Sequence, residues 1–201
     1  MSTVLKRAFD LLTACTGLLL LAPVLLSAAV WIKLDSPGPV LFRQERVGRG
    51  GRLFRIHKLR TMRQGGPASA PLITTQGDPR VTCAGRFLRK HRIDELPQLI
   101  DVLVGHMSLV GPRPEVPRYV AMYPPGLREA VLAVRPGITD PASLEFANES
   151  IFLAQASDPE RAYVEEVLPR KLARQAAYAQ EATLASDMVV LGRTLRWLFA
   201  R

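Results

Sequence analysis

An uncharged run near the N-terminus limits the folds that are open to this chain. Residues 11–32 contain no acidic or basic side chain, and Asp10 and Lys33 bound the run. A straight helix of that length extends about 33 Å, which is enough to cross a hydrocarbon core of about 30 Å. Pro23 lies near the middle, where a proline removes a backbone donor and kinks or breaks a helix. The run therefore predicts a membrane helix that is interrupted at Pro23.

Charges on both sides of the run indicate how it meets the membrane. Lys6 and Arg7 precede it, and Arg43 and Arg46 are among the basic residues that follow. Because cytoplasmic flanks carry the excess of Lys and Arg, we expect both ends on the cytoplasmic side. A re-entrant hairpin over residues 1–34, helix then break then helix, satisfies this. A single-span anchor and a cleaved signal peptide remain alternatives, although the run is longer than the ~7–15 apolar residues usual in a signal peptide.

Composition points to a polyanionic partner for the remaining domain, residues 35–201. The chain has 201 residues with 27 basic and 18 acidic side chains, a net charge of +9. Such a balance suits anionic membrane lipids, phosphorylated substrates or nucleic acid. Aromatic residues make up 6% and do not interleave with the basic ones, so we predict no nucleic-acid partner. Cys15 and Cys83 do not suggest a disulfide framework, which fits a reducing, cytosol-facing environment.

Local patterns predict a small, mostly helical α/β domain after the apolar run. Residues 40–44 and 52–57 are typical of short strands, and the glycine-rich residues 47–51 between them predict a β-hairpin. Residues 64–80 are rich in Gly, Pro and Ser and are predicted to form a loop.

The C-terminal half is predicted to be helical. We expect helices over residues 116–133 and 159–183, the second broken at Pro169, with a rigid loop over residues 135–143. The tail over residues 186–199 is amphipathic. It lies along the membrane interface or packs on the core, and the sequence favours neither.

Two adjacent acids mark the most informative stretch, residues 91–115. Asp94 and Glu95 precede Pro97, and apolar residues then recur at helical spacing. Because proline is tolerated in the first turn of a helix, we expect a helix that begins near Asp94, with Asp94 as its N-cap. A helix N-terminus favours negative charge.

Basic residues surround these acids on both sides. Arg86, Arg89, Lys90 and Arg92 lie upstream, and Arg113 lies downstream between two prolines. Carboxylates bind Mg²⁺ and arginines bind phosphate oxygens, so the cluster suits phosphate chemistry with a divalent metal. Ordinary helix capping explains the two acids on spacing alone and remains the alternative.

Seven motifs, in order along the chain, resemble the small monotopic phosphoglycosyl transferases, the bacterial sugar transferases. They are Lys6-Arg-x-x-Asp10, Ser36-Pro-Gly-Pro-Val-x-Phe-x-Gln44, Arg46-x-Gly48, Phe54-x-x-x-Lys58-x-Arg-Thr-Met62, Asp94-Glu-Leu-Pro-Gln-Leu99, Met107-Ser-Leu-Val-Gly-Pro-Arg-Pro114 and Arg135-Pro-Gly-Ile-Thr139. Each is weak alone, but the ordered set is specific.

The resemblance implies transfer of a sugar-1-phosphate from a UDP-sugar to polyprenyl (undecaprenyl) phosphate, with release of UMP. It places such a chain on the cytoplasmic face of the bacterial plasma membrane, at the first membrane step of glycoconjugate synthesis. It also implies the proline-broken re-entrant helix. By the resemblance, Asp94 is the nucleophile of a covalent phosphoglycosyl intermediate, and Glu95 helps to hold Mg²⁺. Without further membrane helices, the chain is expected to be a minimal catalytic unit, and a homodimer is left open.

The remaining substrate-binding candidates are mostly cationic. They are Arg113, Lys58, Arg60, Arg86, Arg92, Arg135 and Asp187. The chain departs from the family pattern at His106, where an acid is usual, and at Asp140, where glycine is usual. These departures leave the sugar undetermined, and residues 139–149 are candidates for nucleotide or sugar contact.

Two functions of other classes compete with the transferase. A non-catalytic basic membrane-anchored module would use the net charge of +9 to bind anionic lipid or a partner. A membrane-tethered nucleic-acid binder lacks any recognisable motif. Neither accounts for the paired acids Asp94 and Glu95.

Overall fold

The computed structural model describes residues 3–63 and 73–200. Residues 64–72 of the predicted loop therefore lie outside the described residues. The helices are α1 (Thr3–Asp35), α2 (Cys83–Lys90), α3 (Gln98–Val104), α4 (Pro117–Val120), α5 (Pro125–Ala133), α6 (Pro141–Glu145), α7 (Glu149–Gln155), α8 (Pro159–Ala162), α9 (Leu168–Glu181) and α10 (Leu184–Phe199). The strands are β1 (Leu41–Val47), β2 (Leu53–Leu59), β3 (Ser108–Val110) and β4 (Gly137–Thr139).

The N-terminal helix α1 is long and apolar enough to cross a membrane. Its 33 residues run through Pro23 without a non-helical residue, so the predicted interruption at Pro23 is not found. Pro23 is on the exposed side of the helix, whereas Leu21 and Leu25 on either side of it pack against the domain. This packing stabilises the helix across a residue that removes one backbone hydrogen bond.

One face of α1 packs against the domain along nearly the whole helix. This inner face recurs at intervals of three or four residues, as helical geometry requires. Its members are Asp10, Ala14, Gly17, Leu21, Leu25, Ala28 and Ile32. The outer face is apolar and exposed, and its members include Leu12, Leu19, Leu20, Leu26 and Val30.

Polar contacts attach both ends of α1 to this same domain. Near the N-terminus, the backbone N–H of Leu109 donates to Asp10 Oδ1 at 3.1 Å. At the C-terminus, the buried Arg60 guanidinium donates to the carbonyls of Ser36 at 2.8 Å and Ile32 at 3.3 Å. Because the last carbonyls of a helix have no partner within it, Arg60 caps α1.

The predicted β-hairpin is confirmed. Strands β1 and β2 pair in antiparallel register from Leu41 opposite Leu59 to Val47 opposite Leu53. The tight turn places Gly50 at φ 65° in the left-handed region, which glycine adopts without strain. The hairpin brings the end of β2 to the domain's interior.

A short parallel pair lies beyond the sequence predictions. Ser108 of β3 aligns with Gly137 of β4, and Val110 aligns with Thr139. The two backbones approach so closely that a Cβ on Gly111 or Gly137 would overlap the other strand's backbone. Three-residue strands carry too little alternation to be predicted from sequence. The predicted loop over residues 135–143 is therefore wrong in part, because it contains β4 and the start of α6.

Prolines act differently from expectation in the C-terminal half. Residues 116–133 are mostly helical as predicted, but they form two helices, because Pro124 and Pro125 separate α4 from α5. The predicted break at Pro169 is wrong. The helical backbone is continuous from Pro159 to Glu181, and a π-helical turn over Tyr163–Val167 directly precedes α9, so the missing backbone donor of Pro169 does not break the helix.

Helix α10 confirms the predicted amphipathic tail. Val190 is buried and Leu191 packs on the same core cluster as α1, whereas Met188, Leu195 and Phe199 are exposed. The helix thus packs on the core through one face and leaves a second apolar face uncovered.

Replacing Gly137 with alanine should destabilise the fold, because the added Cβ meets the backbone of Gly111 rather than a movable side chain. Overpacking of this kind costs about 1–3 kcal/mol. Thermal unfolding of the detergent-solubilised protein should show a lower midpoint. Gly126→Ala is the matched control, since its Cβ would meet open space in α5. Equal midpoints for Gly137→Ala and the unmodified chain would contradict this packing.

Candidate active site

A strained turn places the two acids inside the domain. Residues Ile93–Glu95 form one 3-10 turn, which follows Arg92 at φ 56° and ψ 17°. A left-handed conformation costs free energy in a residue with a Cβ, and such strain clusters at functional sites. It directs Asp94 and Glu95 inward, where they are 1% and 6% exposed.

The predicted N-cap role of Asp94 is wrong. Helix α3 begins at Gln98, and its N-cap is Pro97, which has no side chain that caps the helix. Proline follows the 3-10 turn without strain because its fixed φ suits both turn and helix. A helix terminus therefore does not stabilise the Asp94 carboxylate.

A lysine of β2 takes that role. Lys58 Nζ lies 2.9 Å from Asp94 Oδ2 and 3.2 Å from Glu95 Oε1. The neighbouring His57 fixes the strand, because its backbone N–H and ring Nδ1 each lie 2.8 Å from the buried carboxylate of Asp101 in α3. The β2–α3 contact thus sets the position from which Lys58 reaches both acids.

Arg113 forms a bidentate salt bridge with Glu95. Arg113 Nη2 donates to Oε1 at 2.5 Å, and Nη1 donates to Oε2 at 3.2 Å. Burial alone would raise the pKa of Glu95, but the charges of Arg113 and Lys58 outweigh it and lower the pKa well below its ordinary value. The charge of Glu95 correspondingly raises the pKa of Arg113.

Backbone contacts hold in place the loop that carries Arg113, residues 111–114, which we call the arginine loop. The N–H of Arg113 donates to Asp140 Oδ2 at 3.1 Å. On either side of it, Gly137 N donates to Pro112 O at 3.0 Å, and Arg46 Nη1 donates to Pro114 O at 3.0 Å. Arg113 therefore enters the site from a loop that strand pairing and a buried carboxylate both fix.

The second oxygen of Asp94 has no such partner. Among the described residues, Asp94 Oδ1 is buried without a hydrogen bond. A buried carboxylate oxygen without a partner costs free energy, so such an atom in a protein commonly serves chemistry or a ligand. Lys58 orients the carboxylate through Oδ2, and Asp94 is one of the residues that line a cavity.

This cavity has a volume of about 870 Å³, within the range of ligand pockets. Its cationic wall comprises Lys58, Arg86, Arg89, Lys90, Arg92, Arg113 and Lys171. Its apolar wall includes Leu96, Leu99, Leu109, Ile138, Leu191, Trp197 and Leu198. Arg92 lies over the Trp197 ring, 5.6 Å from its centroid, so that a cationic and an apolar lining residue contact each other.

Six of the predicted site residues meet at this cavity, which includes Asp94, Glu95, Lys58, Arg86, Arg92 and Arg113 in its lining. Three others do not line it. Arg60 caps α1, Arg135 donates through Nε to Gly105 O at 3.0 Å, and the buried Asp187 pairs with Lys6 and accepts from Tyr178 at 2.5 Å.

Several residues of the segment 139–149, which remains a prediction for nucleotide or sugar contact and is called the substrate-facing segment below, line the cavity. Thr139, Ser143 and Asn148 are among its members in the lining. The sequence predictions did not include Lys171 of α9, which is far from the motifs along the chain. Arg89, which was predicted only as a member of the cationic cluster around the acids, also lines the cavity, and burial lowers its pKa.

The acids fit Mg²⁺ only in company with a substrate. Among the described residues, no group of three or more His, Cys, Asp or Glu side chains is placed to hold a metal. Glu95 Oε2 accepts from Arg113 Nη1 and keeps a second lone pair, and Asp94 Oδ1 accepts no hydrogen bond. Proteins commonly bind Mg²⁺ through one or two carboxylates together with substrate phosphates and water. The donor set suits that mode and not a metal site built from protein ligands alone.

Known relatives share this sequence over most of its length. It is 38% identical over 194 residues to a UDP-N-acetylgalactosamine-undecaprenyl-phosphate N-acetylgalactosaminephosphotransferase of Aeromonas hydrophila, covering 96% of this chain and 43% of the relative. It is 42% identical over 197 residues to a UDP-glucose:undecaprenyl-phosphate glucose-1-phosphate transferase of Caulobacter vibrioides, covering 94% and 68%. An exopolysaccharide production protein of Rhizobium leguminosarum is 52% identical over 114 residues, covering 56% and 57%.

The chain thus spans between 43% and 68% of the length of these relatives. The match to the family itself extends over residues 1–201, which includes the hairpin, the paired acids and the arginine loop. On this basis the chain belongs to the bacterial sugar transferase family.

Proposed function

We propose that this chain transfers a sugar-1-phosphate from a UDP-sugar to a polyprenyl phosphate, with release of UMP. The arrangement of Asp94 carries the proposal: Lys58 holds one carboxylate oxygen, the other has no hydrogen bond among the described residues, and Asp94 lines a cavity rich in cationic side chains. Relatives named as undecaprenyl-phosphate sugar phosphate transferases support the same chemistry.

The first displacement uses Asp94 as a nucleophile. Its Oδ1 attacks the β-phosphorus of the UDP-sugar and forms an acyl phosphate bond. The bond from that phosphorus to the oxygen bridging the two phosphates breaks, and UMP leaves with that oxygen. Carboxylates attack phosphorus to form such intermediates in other phosphoryl transfer enzymes.

The second displacement regenerates the acid. A phosphate oxygen of the polyprenyl phosphate attacks the same phosphorus, and its bond to Asp94 breaks. The product is a polyprenyl diphosphate sugar. Because each nucleophile and each leaving group is already an anion, neither step needs a proton transfer, and the site needs no general base.

Repulsion between anions is therefore the main barrier that the site must lower. Lys58 and Arg113 place positive charge beside Asp94 and Glu95, and the cationic wall extends it along the cavity. Glu95 holds both cations in position. Mg²⁺, held by Glu95 together with substrate phosphates, would neutralise further diphosphate charge.

The packing of α1 supports a monotopic placement on the cytoplasmic face. A helix of 33 residues is about 50 Å long, yet polar contacts hold both of its ends on one domain. A perpendicular crossing would carry the domain's polar surface into the hydrocarbon, which is costly. With its apolar outer face in the lipid and basic flanks on one side, α1 lies along the cytoplasmic leaflet and keeps both of its ends on the cytoplasmic side.

The apolar wall of the cavity suits the lipid substrate. Leu191, Trp197 and Leu198 of α10 contribute to it, and the same helix packs near α1. A prenyl chain that extends from a phosphate near Asp94 meets this wall before it reaches the membrane. The net charge of +9 attracts the anionic lipid surface.

Replacing Asp94 with asparagine should lower the rate of UMP release by about 10³-fold or more, because the amide is not a nucleophile towards phosphorus. UMP would be measured with Mg²⁺, polyprenyl phosphate and a panel of UDP-sugars. Glu165→Gln is the matched control, since Glu165 is an exposed partner of Arg161. Unchanged UMP release by Asp94→Asn would contradict the proposal. Binding to anionic vesicles should be nearly the same in all three proteins, and vesicle binding by the unmodified chain without UMP release from any UDP-sugar would favour a non-catalytic module.

The lowered pKa of Glu95 predicts an acid-sensitive contribution to stability. Ionised Glu95 stabilises the fold above the pKa of an unfolded glutamate, about 4.3. As the pH falls below that value, the unfolded chain alone takes up the proton, so the free energy of unfolding declines until the folded pKa is reached.

The free energy of unfolding, measured with denaturant, should therefore fall more steeply from about pH 4.5 to 3 in the unmodified chain than in Glu95→Gln. The control Glu165→Gln should keep the unmodified slope. Equal slopes for the unmodified chain and Glu95→Gln would show that Glu95 is not held in its charged form.

Single cysteines should report the placement of α1. In a chain with Cys15 and Cys83 changed to serine, we would place cysteine at Val4 and at Pro39, both exposed positions flanking the apolar run. A membrane-impermeant maleimide should label both in inverted vesicles and neither in intact spheroplasts. Labelling of the two positions from opposite sides would show a single span instead.

A further inference from the structure

Helix α9 contacts the substrate-facing segment near both ends of that segment, at Asp140 and at Glu149. Gln175 Nε2 donates to Asp140 Oδ2 at 2.7 Å, and both side chains are buried. One turn earlier on the same helix face, Lys171 Nζ donates to Glu149 Oε2 at 2.8 Å. The segment between these two acids, residues 140–149, is thereby held at its first and last residue.

Asp140 joins this segment to the arginine loop. It is fully buried, and besides Gln175 it accepts from the backbone N–H of Arg113 at 3.1 Å and of Ser143 at 2.5 Å. The Ser143 contact makes Asp140 the N-cap of α6. A shift of Asp140 would therefore move both the phosphate-facing Arg113 and the start of the segment.

The Lys171–Glu149 pair lies at the cavity itself. Both residues line it, and Lys171 is 7% exposed and lies 5.3 Å from the centroid of the Tyr163 ring. A buried lysine with a carboxylate partner is geometrically restricted, and loss of either member leaves an uncompensated charge. The pair therefore presents a fixed carboxylate to whatever lies in this part of the cavity.

We propose that Lys171 and Gln175 form a clamp, defined by these two residues, that positions residues 140–149 and thereby sets which UDP-sugar is accepted. This inference rests on the proposed function. Gln175 and Asp140 are positioning residues, because they act through Arg113 and α6. Glu149 is the residue of the clamped segment that faces the sugar.

The chemistry of sugars makes such a clamp selective. Hexose donors differ in the orientation or substitution of single hydroxyl groups, which a carboxylate recognises by accepting hydrogen bonds. A site built to bind a hydroxyl discriminates strongly only if its acceptor is held in one position. Lys171 and Gln175 supply that restraint from a helix of 14 residues rather than from a loop.

The test compares Lys171→Met and Gln175→Leu with Lys171→Arg, which keeps the charge. Arg174→Met is the matched control, because Arg174 also reaches the segment from α9 but through an exposed pair with Glu145. Such surface pairs contribute little. Donor KM, acceptor KM and kcat would be measured with UDP-glucose, UDP-galactose and their two N-acetylhexosamine counterparts.

Lys171→Met and Gln175→Leu should each raise the KM of the preferred donor about tenfold and change its preference over the next donor about fivefold or more. The KM of polyprenyl phosphate should stay within about twofold, and Lys171→Arg should restore much of the preference. Unchanged donor preference in both variants would overturn the proposal, as would an equal change in Arg174→Met.

Hydrogen exchange of residues 140–149 provides a readout that does not depend on turnover. Exchange should be faster in Lys171→Met and Gln175→Leu than in the unmodified chain and in Arg174→Met. Equal exchange in all four would overturn the clamp. If the unmodified chain released UMP from no UDP-sugar, the proposed function would fail, and exchange alone would still decide whether the clamp exists.

Discussion

Two carboxylates, Asp94 and Glu95, lie side by side inside this domain, and the cations packed against them make that arrangement tolerable. Burial of unpaired charge is costly, so the positions of Lys58 and Arg113 are constraints on the fold as much as on the chemistry. Strand β2 must deliver Lys58, and the loop after β3 must deliver Arg113. Lys58 and Arg113 pair with Glu95 and with Asp94 Oδ2, so that Asp94 Oδ1 is, among the described residues, the carboxylate oxygen of the two acids that has no hydrogen bond.

The long apolar helix α1 belongs to the same architecture. The inner face of α1 forms core clusters with residues of the hairpin, α3 and α10, so this helix and the cavity share their packing. Leu99 illustrates the connection: it lines the cavity and also lies next to Gly17 of α1. Under the proposed function, a lipid substrate and a water-soluble donor would meet at this one site beside α1.

The features that could be predicted from the sequence are those that local patterns encode. The hairpin follows from a glycine-rich turn between two short strand-like segments, and the nearby part of the cationic surroundings of Asp94, such as Arg86 and Arg92, follows from neighbours in the chain. Prediction failed where partners are distant: Arg60, only two residues from Lys58, lies beyond the end of β2 and caps α1 instead of facing the cavity. Contacts such as Gln175 with Asp140 join residues 35 apart and leave no periodic signal.

Intact-protein and peptide mass spectrometry would directly detect the proposed covalent intermediate on Asp94. The purified chain would be given Mg²⁺ and the UDP-sugar from which it releases UMP, without a lipid acceptor, and then rapidly quenched. We expect a mass increase of one sugar phosphate, located on Asp94, that disappears when polyprenyl phosphate is added. Release of UMP into product with no adduct on Asp94, or with an adduct on another residue, would contradict this expectation.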